Sequence, residues 1–179
     1  MADATTFIAT QTVSGSSTTT ISFGSIPSTY DDLFMIGTGR CDSTAGQMLY
    51  MDIVLNSDTG NNYVLGYGYA TGSALGSTVD AAKVAIWRTQ SLPGIQASED
   101  NPGGFVMYMP QYSSSAYKTQ MVYMSGGILN AANGTQSNCH FKGFGLWDAT
   151  AAVNQIELKT LFGNFEAGSS YSLYGISNS

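Results

Sequence analysis

The sequence predicts an all-β protein, a sandwich, jelly roll or barrel, from three features. Apolar residues recur with a period of two in several windows. Twenty-one glycines, together with abundant Ser and Thr, interrupt the 179-residue chain at short intervals. The helix-tolerant stretches, such as Asp80 to Lys83 and Asp148 to Val153, are too short for more than about one turn.

Read from the N-terminus, the first strands are expected over Thr6 to Val13 and Thr18 to Phe23, joined by a short Ser/Thr/Gly-rich stretch. Leu33 to Thr38 follows a turn marked by Pro27 and the acidic pair Asp31-Asp32. Met48 to Leu55 puts Leu49, Met51, Ile53 and Leu55 on one face and Tyr50, Asp52 and Val54 on the other. Tyr63 to Tyr69 and Lys83 to Thr89 come next. Phe105-Val106-Met107-Tyr108-Met109 is apolar on both faces, which predicts a strand covered on both sides. Thr119 to Ser125 and His140 to Trp147 follow. Gln155-Ile156-Glu157-Leu158-Lys159 is the cleanest alternation, with Ile156 and Leu158 inward and the polar residues wet. Tyr171 to Ile176 completes about eleven short strands. No linker divides the chain, so one domain over residues 1–179 is expected, with Ser91 to Gly104 and Tyr112 to Tyr117 as exposed loops.

Composition narrows the function. Hydrophobic residues make up 43% of the chain and charged residues 10%, which suits one domain with a core. Six Lys+Arg against twelve Asp+Glu give a formal charge of −6, so nucleic acid is not an expected partner. No apolar run approaches the roughly 18 residues of a membrane helix. The opening Met1-Ala2-Asp3-Ala4 lacks the basic and apolar regions of a secretion signal, so the expectation is a soluble chain, with no membrane partner, that is not exported by the general route. Cys41 and Cys139 lack the close spacing of a zinc or redox motif and are expected as buried thiols.

The chemistry-bearing residues each have a plain structural reading. His140 is the only histidine, and its neighbour Cys139 would point to the opposite face of a strand, so the two do not form a catalytic dyad. Asn56 to Asn62 alternates oxygen-bearing side chains but lacks the spacing and the bidentate glutamate of a calcium loop, and a turn is expected instead. Asp31-Asp32 is expected as a solvated turn rather than a hydrolytic carboxylate pair. The glycines of Gly37-Thr38-Gly39 and Gly66-Tyr67-Gly68 open no helix and hold no phosphate. No metal, cofactor or catalytic residue is therefore assigned. Tyr67 and Tyr69, spaced by two with glycines between, form either an exposed aromatic stripe or inter-sheet packing. Tyr112 and Tyr117 are loop aromatics, and these four tyrosines are the candidates for an interface or for stacking on sugars.

Several phrases taken together resemble small β-sandwich virion structural proteins of tailed bacteriophages, cyanophage and marine phage types included. They are Thr12-Val13-Ser14-Gly15-Ser16, then Ile21-Ser22-Phe23-Gly24-Ser25-Ile26-Pro27-Ser28-Thr29-Tyr30-Asp31-Asp32-Leu33, the turn Asn56 to Tyr63, and the ending Gly163 to Ser169 with Ser172-Leu173-Tyr174-Gly175-Ile176. The stretch from about Thr71 to Ser137 adds little to the likeness. The resemblance implies an antiparallel, jelly-roll-like β-sandwich that acts through surfaces rather than through a catalytic site. Without shaft repeats or heptads, a capsid decoration (cement) protein fits better than a fibre. The expected partner is then the major capsid protein, at the capsid outer surface of a virion assembled from a chain made in the host cytoplasm. The expected assembly is a homotrimer at local three-fold positions, and residues 1–20 are expected as a capsid-gripping arm. The alternative is a tail-fibre or tail-tip adhesin that binds host-surface glycans through the tyrosines named above.

Overall fold

The structure, a computed structural model, describes residues 4–15, 17–45, 48–71, 74–93, 101–130 and 136–178. Twelve strands run through them: β1 (Thr5–Thr12), β2 (Thr20–Phe23), β3 (Asp32–Gly39), β4 (Met48–Leu55), β5 (Tyr63–Thr71), β6 (Ala74–Lys83), β7 (Ile86–Pro93), β8 (Gly103–Met109), β9 (Thr119–Asn130), β10 (Gln136–Trp147), β11 (Ile156–Thr160) and β12 (Ser170–Ile176). Eleven of them are the strands marked by alternation and turn residues in the sequence. The twelfth, β6, includes the stretch Asp80 to Lys83, where Ala82 sits at φ 54° beside a register shift and an Asp80–Lys83 ion pair closes the turn. That local helical geometry is a β-bulge on an edge strand.

All pairings are antiparallel, in two sheets ordered β1-β12-β3-β8-β9-β10-β5-β6 and β2-β11-β4-β7. Successive pairs β4·β7, β3·β8, β2·β11 and β1·β12 alternate between the sheets, as in one long hairpin folded over itself. This is jelly-roll order. Two insertions, β5-β6 and β9-β10, join the first sheet beyond β8 and double its width. Residues 5–12, expected as part of an arm, are the edge strand β1, paired along its length with β12.

The core lies between the sheets. Leu33, Met35, Phe105, Met107, Met121, Tyr123 and Phe141 from the large sheet meet Leu49, Met51, Ile53, Ile156 and Leu158 from the small one, all buried. Each such side chain contributes about 1.5–3 kcal/mol by leaving water. Tyr171 is fully buried on β12. Its ring lies against Gly37 and its hydroxyl against Gly39, where any Cβ would collide with it, and it packs edge-on against Phe105 and Phe165.

One strand departs from its expected environment. β8 buries Phe105, Met107 and Met109, but Val106 and Tyr108 are only half-buried on the opposite face. Apolar residues on both sides of β8 predict a cover that the described residues do not supply.

Candidate functional site

The outer face of the eight-stranded sheet is the candidate site. Strand register places Phe7, Tyr174, Phe34, Tyr108, Val122, Phe144, Gly66 and Val79 in a single row across all eight strands. Every member is aromatic, aliphatic or glycine, and the Phe144 ring covers Gly66, where a Cβ would collide with it. Phe7 packs edge-on against Tyr174, at 5.8 Å between ring centroids. The next row along the strands carries Ile36, Val106, Met124 and Lys142 on β3, β8, β9 and β10. The third carries Thr38, Gly104, Gly126 and His140 on the same strands. These small residues leave an open trough of about 710 Å³ beside Ile36, Val106 and Met124.

Exposure sets this face apart. Phe7, Ile36, Val122, Met124, Ile128 and Phe144 all lie open to solvent, Met124 at 58% of its full area. Eight strands about 4.8 Å apart and three rows about 7 Å apart span on the order of 800 Å² in all, with Ser170, Ser172, Thr38, Lys142 and His140 set among the apolar side chains of the second and third rows. The contiguous apolar part, the first row with Ile36, Val106 and Met124, is a few hundred Å², a size that often marks a functional surface.

None of the four tyrosines expected as stacking residues lies in these rows, and one of the four is exposed. Tyr67 and Tyr69 point inward on β5 and pack on Phe141, with ring centroids 6.0 and 5.9 Å from it. Tyr67 is buried and Tyr69 partly so, which makes the stripe inter-sheet packing. Tyr112 is 0% exposed, and its hydroxyl donates to the Pro27 carbonyl, so it anchors the loop after β8. Tyr117 alone stands in solvent, at 64%. The outer rows escaped the sequence reading, although Phe34/Ile36, Val106/Tyr108 and Val122/Met124 carry an i, i+2 signal for them.

No family model and no curated protein matches the chain. Among solved structures, a non-toxic crystal protein from Bacillus thuringiensis is similar over 97% of this chain and 77% of its own, at 8% identity and a TM-score of 0.13. A likeness of that size says nothing about fold or function.

The carboxylates are engaged in holding turns. Asp58 accepts bonds from Trp147 Nε1 at 2.7 Å, Asn62 Nδ2 at 2.9 Å and the Gly60 amide at 2.8 Å, and these bonds hold its carboxyl below the usual range. Asn56 and Ser57, both at positive φ, make the tight turn before it. Asn56 to Asn62 is thus the expected turn. The expected solvated turn holds at Asp31, which is exposed, but not at Asp32. Asp32 is buried at the start of β3, and burial alone would push its carboxyl up. Bonds from Tyr108, Gln111 and Asn178 outweigh that and lower it. Asp42 is lowered by the Asn164 side chain and amide. Cys41 and Cys139 are both buried with no disulfide between them, and burial pushes the Cys41 thiol up to about 11.

These depressed carboxyls set an acid limit. A carboxyl lowered by folding stabilises the native state above its unfolded value near about 3.9, and that stability is lost as pH falls through the folded value. The melting temperature is therefore expected to hold from neutral pH to about pH 5 and to drop below about pH 4. Asp58→Asn is expected to destabilise at pH 7 by about 1–3 kcal/mol and to flatten the acid limb. Thermal melts from pH 7 to 2 check this, and an unchanged limb in the variant would rule out the Asp58 assignment.

Proposed function

We propose that the protein is a non-enzymatic capsid decoration (cement) protein that binds the outer surface of a phage's major capsid shell and stabilises its subunit junctions. The observation that carries this reading is the open outer face of the widened sheet with its apolar row, on the order of 800 Å² in all, the size a stable protein interface takes from one partner. The sequence phrases that resemble phage virion β-sandwich proteins supply the class of partner. On this reading the chain acts at the virion surface, many copies add avidity along a repeating shell, and three copies gather at local three-fold positions.

Gold-tagged antibodies against the chain, imaged by electron microscopy on intact phage particles, test the reading. Label over the head is the expected result, and label confined to the tail would overturn it. A tail adhesin that binds glycans is the second reading. It keeps Tyr117 as its one exposed residue among the four nominated, and a glycan array without hits would remove it.

A further inference from the structure

Charge on the outer face points to the kind of surface it meets. Four of the described cationic side chains carry an ion pair within this chain: Arg40 with Glu166, Lys83 with Asp80, Lys118 with Asp148 and Lys159 with Glu157. Lys142 is not among them. It is exposed in the middle of the face, cross-strand from Met124, with His140 two residues away on the same side. Among the described residues, the exposed outer side chains of β3, β8, β9 and β10 include no carboxylate. Asp32, at the end of β3, is buried with its oxygens held by Tyr108, Gln111 and Asn178. In a chain of net charge −6, this face is apolar with a cation at its centre.

We propose that the face docks a folded protein surface that is apolar and bears a carboxylate placed to pair with Lys142. The proposal rests on the capsid reading, in which that surface belongs to the shell. Burial in an interface strips water from the ammonium, and a buried charge left unpaired costs several kcal/mol. A carboxylate opposite Lys142 offsets that cost, and so favours one partner surface over another. Packed face to face, the described strands of a second copy bring no exposed carboxylate to Lys142, so a different protein surface is the better match. The trough over Gly104 and Gly126 has room for protruding side chains, which suits a folded partner better than a fluid lipid surface.

The test is rebinding to phage heads depleted of the chain, with occupancy measured against concentration at low and high salt. Lys142→Glu is expected to weaken binding by on the order of 30-fold or more. Lys142→Met should weaken it less, and Lys142→Arg should restore it to within a few-fold of the original. All three should melt like the unaltered chain, since the side chain is exposed. If Lys142→Glu binds heads as well as the unaltered chain, the docking proposal is overturned and the capsid reading stands. If the unaltered chain leaves heads bare, and instead sediments as a dimer or saturates phosphatidylserine vesicles, both are overturned.

Discussion

Met124→Glu is expected to leave the melting temperature within about 1–2 °C of the unaltered protein and to lower affinity for the docking partner about 100-fold. The side chain stands 58% exposed on β9, so a carboxylate there is hydrated in the free chain and the core beneath is untouched. Docking would bury that carboxylate between Val106 and Lys142, its cross-strand neighbours. Pairing with Lys142 within the chain would also occupy the ammonium that the partner's carboxylate needs. Together these effects cost about 3 kcal/mol or more of binding, which is about 100-fold. Titration of depleted heads with the variant, alongside its thermal melt, checks both halves. A variant that docks normally would contradict the assignment of the face.

Tyr171→Ala is expected to do the reverse, with a large loss of stability and no direct effect on the outer surface. Tyr171 is fully buried on the inner side of β12, against Gly37, Gly39, Phe105 and Phe165. Truncation removes the ring and leaves a cavity beside Gly37, Gly39, Phe105 and Phe165. The expected cost is about 3–5 kcal/mol, or a drop of on the order of 10–15 °C in melting temperature. Denaturant unfolding monitored by tyrosine and tryptophan fluorescence checks the value. A loss below about 1 kcal/mol would mean that the Tyr171 position is not the tightly packed centre described above.

Most of the sandwich was legible in the sequence because burial on one side writes a period-two pattern. Gln155 to Lys159 shows it and became a strand with Ile156 and Leu158 buried, whereas Met48 to Leu55 became a strand buried on both faces, Asp52 and Val54 included. Strand β6 was not legible, because an edge strand with a bulge at Ala82 has no buried face to write an alternation. The site was hidden for a related reason. Apolar residues on both faces of β8 carry the same signal whether the second cover is part of the chain or is another molecule, and only the fold shows which. The tyrosines misled in the opposite direction. Tyr67 and Tyr69 flanked by glycines suit an exposed stripe or close inter-sheet packing, and Phe141 opposite Tyr69 makes it the second.

Methionine oxidation tests the central claim, that the outer face of the large sheet is the surface through which the protein works. Met35, Met51, Met107, Met109 and Met121 are at most 1% exposed, whereas Met124 is 58% exposed on the candidate face. Brief peroxide treatment of the free chain and of particles carrying it, read by peptide mass spectrometry, compares Met124 with buried internal controls. The account predicts rapid Met124 oxidation in the free chain and strong protection on the particle, with the five buried methionines unchanged in both. Equal oxidation of Met124 in the two states would contradict it.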